Sequence, residues 1–173
     1  MNKFKDNAAT GTSFGILLAL SFSHLANDTL QSVISAVYPL LKESLALSFA
    51  QIGLITLVYQ ISASVFQPVV GFYLDKRPNP WFLPVGMTFT MTGLTTLAFA
   101  HTVTLTVVAV FLVGIGSSIL HPEASRLTSI ASGGKRGMAQ SLFQVGGNLG
   151  GSLGPLLVAL IISSRFSKLL DTI

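Results

Sequence analysis

The sequence predicts an all-α polytopic membrane protein with five transmembrane helices. Three observations carry this. Half of the 173 residues are hydrophobic and only 9% are charged, against roughly 25% in a soluble domain. Several apolar runs approach the roughly 20 residues that cross a bilayer as a helix. These runs do not alternate polar and apolar residues, as the ~10-residue strands of a membrane barrel would. The competing reading, a single very apolar soluble domain, does not account for runs of that length.

Residues 1–12 read as a cytoplasmic N-terminal tail carrying Lys3 and Lys5. Residues 13–162 read as one five-span domain, with spans at about 13–41, 50–73, 81–100, 103–125 and 138–162. The first is a retained span, because no small-residue cleavage site interrupts it. The loop after the second holds Asp75, Lys76, Arg77, Pro78, Asn79 and Pro80, and its two prolines resist helix continuation. Trp81 opens the third span as an interfacial anchor. A glycine-rich basic loop with Lys135 and Arg136 precedes the fifth span. Residues 163–173 are expected to be a C-terminal tail, because Arg165, Lys168 and Asp171 make it too polar to span.

The net charge of +4 does not call for a nucleic acid. The basic residues lie in short loops, where membrane topology accounts for them. Lys3, Lys5, Lys76, Arg77, Arg126, Lys135 and Arg136 share one side of a five-span layout, which places the N-terminus in the cytoplasm. Arg165 and Lys168 fall on the opposite side, as in a truncated or frame-shifted product. The absence of cysteine excludes a disulfide framework and thiol-based chemistry.

Ionisable groups within a span are rare and usually mark an ion or substrate path. His24, Asn27, Asp28 and Gln31 recur at i, i+3, i+4 and i+7, on one face of the first span. On the functional reading Asp28 takes and releases a proton. On the competing one an Asp–His pair joins two helices structurally. Thr56, Gln60, Ser64, Gln67 and Gly71 form a stripe on the second span. Gln140, Gln144 and Asn148 form one on the fifth. The three stripes read either as a shared wet cavity or as hydrogen bonds holding helices together. Gly146, Gly147, Gly150, Gly151 and Gly154, followed by Pro155, form small-residue faces for close helix packing and a bend.

Counting helix from Val103 puts His121, Glu123 and Arg126 at the cytoplasmic edge, where they read as a latch. An exposed Glu123–Arg126 pair there is worth little energetically. The glycine run lacks the preceding strand and the Gly-Lys-Ser/Thr ending of a phosphate-binding loop. His24, His101 and His121 lie on separate segments with no metal-ligand spacing. No catalytic set converges. No cofactor, no metal and no enzymatic activity are therefore expected.

Gly71-Phe72-Tyr73-Leu74-Asp75-Lys76-Arg77 resembles the loop signature of the major facilitator superfamily. Gly150-x-x-x-Gly154-Pro155 is similar to the antiporter motif of its drug-efflux branch, and Gly114-x-Gly116 with Pro122 to its fourth-span motif. The stretches Ser23–Asp28, Gln67–Gly71, Leu120–Arg126 and Gln144–Asn148, in this order, narrow the likeness to an antibiotic exporter. The resemblance covers about 13–162. It implies twelve helices in two six-helix halves, this chain being part of the N-terminal half. It also implies proton-coupled efflux of a small anionic drug across the bacterial inner membrane. The partners would be the lipid bilayer, the drug, protons and the missing C-terminal half.

On this reading Asp28, His24, Asn27, Gln31, Gln60, Gln144 and Asn148 line the proton and substrate pathway. Gly71, Asp75, Lys76, Arg77, His121, Glu123 and Arg126 close the cytoplasmic gate. Two departures stand out. Val110 occupies the place of the family's fourth-span arginine, and Pro78-Asn79-Pro80 replaces the later part of the loop signature. The alternative is a non-transporting subunit or inactive fragment that pairs with another helical half.

Overall fold

The computed structural model describes residues 11–79 and 81–170, with side chains up to 162. Lys3, Lys5, Pro80, Asp171 and the side chains of Arg165 and Lys168 lie outside the described set. Seven helical segments follow in order: α1 Phe14–Ala36, α2 Tyr38–Ser44, α3 Phe49–Ser64, α4 Phe66–Lys76, α5 Phe82–Ala98, α6 Val103–Ala131 and α7 Arg136–Leu170. They make five rods, because α2 continues α1 and α4 continues α3. Three stretches are by themselves long and apolar enough to cross a membrane: Phe49–Lys76, Val103–Ala131 and Arg136–Ile162. Phe82–Ala98 is apolar but shorter.

Local chemistry explains the boundaries. Ser48 caps α3 in a reciprocal box with Gln51, which occupies two otherwise orphaned N–H groups. Thr102 caps α6 by accepting from the Leu105 N–H at 3.2 Å. Pro68 has no N–H for the Ser64 carbonyl, so the α3 ladder is interrupted there while the backbone at Val65 stays helical. Pro39 sits in the first turn of α2, where a missing N–H breaks no intrahelical bond. Between α6 and α7 the chain turns through Gly133 and Gly134, both at positive φ (56° and 90°).

The outer surface is apolar. Phe14, Phe22, Leu57, Val69, Leu149, Leu156 and Leu160 are among the exposed large side chains, as expected of helices facing lipid. Inside, an apolar cluster of Ile34, Leu47, Ile55, Leu97, Ala109, Val110 and Val113 closes one end. Leu20, Leu120, Ala124 and Phe143 form a second cluster. On α1 the polar residues 24 to 31 fall between Leu20 and Ile34, and so between these two clusters.

The largest packing surface joins α1 to α7, and glycine makes it possible. A Cβ on Gly146 would fall on the Ser21 carbonyl, one on Gly150 on the Leu25 carbonyl, and one on Gly154 on Ser32 and the Thr29 carbonyl. Gly147 faces the His24 ring. Gly151 faces open space and Pro155 is exposed, so neither contributes to this surface. A second pair of glycines, Gly86 and Gly116, brings α5 against α6.

Because the atom facing Gly150 is main chain, it cannot rotate away. Replacing Gly150 with Ala should destabilise the chain by about 1–3 kcal/mol, while Gly151→Ala should change stability little. Thermal unfolding in detergent measures both. Equal stability of the two variants would refute this account of the α1–α7 surface.

Candidate functional site

The candidate site is built on the buried face of α1. His24, Asn27 and Gln31 are buried and Asp28 is partly so. Their helical spacing, read from the sequence, puts all four on the side that meets the other helices. The Asp28 carboxylate receives a histidine at each oxygen. His24 Nε2 lies 3.2 Å from Oδ2, one turn back on the same helix. His121 Nε2, from α6, lies 3.3 Å from Oδ1. Asn27 Nδ2 also donates to Oδ1, at 3.2 Å.

Each imidazole is held from behind. His24 Nδ1 meets the Phe143 carbonyl at 2.9 Å, and its ring stacks on the Phe143 ring with centroids 4.1 Å apart. Gly147 supplies the notch in α7 that admits this ring. His121 Nδ1 meets the Ser117 carbonyl at 2.9 Å and the Ser117 hydroxyl at 3.2 Å. The two rings contact edge to face at 5.0 Å.

A cavity of about 280 Å³ opens beside the carboxylate, lined by Asp28, Gln31, Tyr38, Thr56, Tyr59 and Gln60 among others. The Tyr59 hydroxyl donates to Gln31 Oε1 at 2.8 Å, and Thr56 donates to the Tyr38 hydroxyl at 3.1 Å. Gln31 Nε2 is buried without a partner. A larger depression of about 670 Å³ runs along Pro84, Thr88, Thr92 and Thr96 on α5. No ionisable residue lines it, so the smaller cavity is the chemically equipped one.

His24, Asp28 and His121 are also a group of three whose ligand atoms lie within 4.8 Å of one another, near enough for a cation to bridge. No metal site was expected, because the histidine spacing shows none. The third group arrives from another helix, and spacing along the chain cannot show that. Their mutual ion-pair contacts use the same atoms, so a cation would compete with those contacts.

The other expected site residues divide. Gln60 borders the cavity. Gln144 and Asn148 lie on the exposed side of α7 and do not line it. Gln140, from the same stripe, instead donates to the Ser125 carbonyl and to the Ser129 hydroxyl, at 3.0 and 3.1 Å. Val110 is wholly buried in the apolar cluster. Tyr38 and Tyr59 were not anticipated. The spacing from Thr56 to Gln60 passes over Tyr59, and Tyr38 belongs to a helix that only folding brings alongside.

The cytoplasmic latch differs from expectation at His121 and Glu123. α6 runs on from His121 to Ala131, and His121 sits beside Asp28, a contact that the latch reading did not include. Glu123 is not in an exposed pair but is completely buried. Arg126 binds it through both carboxylate oxygens, at 2.8 and 2.6 Å. Asp75 acts on Arg126 electrostatically. Asp75, Lys76 and Arg77 are exposed, and Lys76 lies over the Phe72 ring at 4.0 Å. Gly71 faces Pro122, so α4 approaches α6 just where the buried pair begins.

The family model of the Major Facilitator Superfamily matches residues 20–167. The fosmidomycin resistance protein of Escherichia coli (strain K12) is 58% identical over 152 residues, which is 88% of this chain and 37% of that protein. The uncharacterised MFS-type transporter YfnC of Bacillus subtilis (strain 168) is 48% identical over 151 residues, covering 87% of this chain and 37% of that one. The uncharacterised transporter YybO of the same strain is 29% identical over 87% of this chain and 33% of its own. No solved structure matches. The chain thus spans little more than a third of the length of the relatives it resembles, and it belongs to the Major Facilitator Superfamily.

Proposed function

We propose that this chain is the N-terminal part of a proton-coupled exporter of a small anionic drug, fosmidomycin being the candidate named by its Escherichia coli relative. The observation that carries the reading is a carboxylate inside the helix bundle, flanked by two histidines and bordering a cavity. Ionisable groups at such depth serve proton and substrate paths. Asp28 takes and releases the proton, and His24 positions it. Gln31 and Gln60 form the polar wall and Asn27 donates to the Asp28 carboxylate, with Gln144 and Asn148 facing the other half of the transporter. The protein works in the bacterial inner membrane with its N-terminus in the cytoplasm, a placement that the basic loops support. The substrate sits between two six-helix halves, so a C-terminal half is needed to complete the path.

Asp75, Arg126, Glu123 and Gly71 form the cytoplasmic gate. The buried Glu123–Arg126 pair anchors it, and Asp75 adds the outer charge. A second reading, a non-transporting half that pairs with another chain, draws support from the exposed apolar faces of α7 and from the short coverage of the relatives.

Joined to a C-terminal half, the chain should confer drug export that depends on a proton gradient, and Asp28→Asn should abolish it. Undiminished export by Asp28→Asn would rule out Asp28. Stable insertion without any resistance on co-expression with that half would favour the second reading. Arg126→Ala strands a buried carboxylate and should destabilise the chain by about 3 kcal/mol. The double replacement Glu123→Gln with Arg126→Met should lose less. Matching losses in thermal unfolding would contradict this view of the pair.

A further inference from the structure

The cavity beside Asp28 has the wrong charge for an anionic guest. Among its lining residues the only carboxylate or basic side chain is Asp28 itself. Recognition of an anion draws its strength from charged donors. Arg126 on α6 is paired with the buried Glu123, so it does not fill that need. The two histidines at the site face the carboxylate.

The same three groups have the geometry of metal ligands. His24 Nε2 lies 3.2 Å from one oxygen of Asp28 and His121 Nε2 lies 3.3 Å from the other. The donor atoms of all three residues lie within 4.8 Å of one another. Behind each ring, Nδ1 lies 2.9 Å from a main-chain carbonyl, that of Phe143 or of Ser117. A carbonyl only accepts, so the hydrogen of each neutral ring is on Nδ1 and its lone pair is on Nε2. This is the outer shell of a metal-bound histidine, whose second nitrogen donates to a carbonyl that fixes tautomer and ring orientation. Two such rings, from two helices, bring their lone pairs to one carboxylate.

The ring of His24 is set in place before any ion arrives. It stacks on Phe143 and fits the notch at Gly147. The side chain of His121 is 24% exposed, and so is that of Asp28, which leaves the cluster open to an incoming ion.

The donor set selects the ion. Two imidazoles and a carboxylate suit zinc and its neighbours among the transition metals. Magnesium and calcium require oxygen ligands. A tetrahedral zinc with bonds of about 2.05 Å sets its ligand atoms about 3.3 Å apart. Both histidine contacts with Asp28 already have that spacing, and the two ring nitrogens have to come together from a separation of up to 4.8 Å. Three protein ligands leave a tetrahedral ion one open position. Zn2+ with two neutral rings and one carboxylate also leaves a net positive charge, which reverses the sign that an anion meets.

We propose that His24, Asp28 and His121 form a binding site for a divalent transition-metal ion of the zinc class, and that the open position of the ion takes an oxygen of the anionic drug. The second part rests on the anionic substrate of the proposed function, and the metal site itself does not.

Calorimetric titration of Zn2+ into the untagged whole chain in lipid nanodiscs tests the site. One ion should bind per chain, and excess Mg2+ should not displace it. His121→Gln and Asp28→Asn should each weaken binding at least about tenfold, since even the outer-shell partners of metal ligands are worth that much. His101→Gln, at an exposed residue outside the cluster, should leave binding unchanged. Zn2+ should also raise the thermal unfolding midpoint of the wild type and leave that of His121→Gln where it was. No saturable binding to the wild type, or binding that survives both substitutions, would overturn the site.

Fosmidomycin, with the chain joined to a C-terminal half, probes the second part. Its affinity should be about tenfold or more higher with Zn2+ than after chelation, and the drug should tighten Zn2+ binding by the same factor. His121→Gln should remove this linkage. Equal drug affinities with and without Zn2+ would overturn the role of the metal toward the drug. If metal and drug bind together but export ignores the proton gradient, the metal site stands and proton coupling falls. If export follows the gradient and drug binding ignores Zn2+, the proposed function stands and this inference falls.

Discussion

One constraint organises the interior: the Asp28 carboxylate lies between helices whose outer faces are apolar. A carboxylate there has to be met by partners, because lipid offers none. α1 supplies His24 one turn away and Asn27 beside it, and α6 supplies His121. The partners are themselves held by main-chain carbonyls of α7 and α6. The Phe143 carbonyl is within reach because glycine at 146, 147, 150 and 154 lets α7 approach α1 closely, while the Ser117 carbonyl lies one turn before His121 on α6 itself. The packing surface and the polar centre are thus one arrangement. The backbone contact of the first positions the second.

α6 carries two polar systems on different sides. His121 and Glu123 are two residues apart, which is about 200° around a helix. His121 faces α1, while Glu123 turns away to meet Arg126 inside the protein. Pro122 lies between them, opposite Gly71 of α4. A displacement of α6 that altered the His121 contact would carry Glu123, Arg126 and Pro122 with it. The Asp28 centre and the Glu123–Arg126 pair thus share one helix, with Pro122 between their two contacts.

Much of this was legible before folding. The helical class follows from run length and charge scarcity. The face holding His24, Asn27, Asp28 and Gln31 follows from spacing, and so do the small-residue faces of α7. Gly151 is the exception among the glycines, and Gln144 and Asn148 look outward. Periodicity names a face without naming what the face meets. Counting helix from Val103 against the bilayer thickness places the charges after Leu120 at the cytoplasmic edge. The helix itself continues, since partners inside the protein replace water for Glu123.

What the sequence determined by itself was therefore everything that depends on one helix at a time: its existence, its polar stripe and its close-packing face. These are set by residues three and four apart, and no other segment can change them. The tertiary structure decided which stripes meet. It brought His121 to Asp28 across 93 residues of chain, enclosed Glu123 with Arg126, and set Val110 in an apolar cluster. Such pairings depend on how closely two backbones approach and at what register. That is a property of packed surfaces, and no spacing along a single chain encodes it.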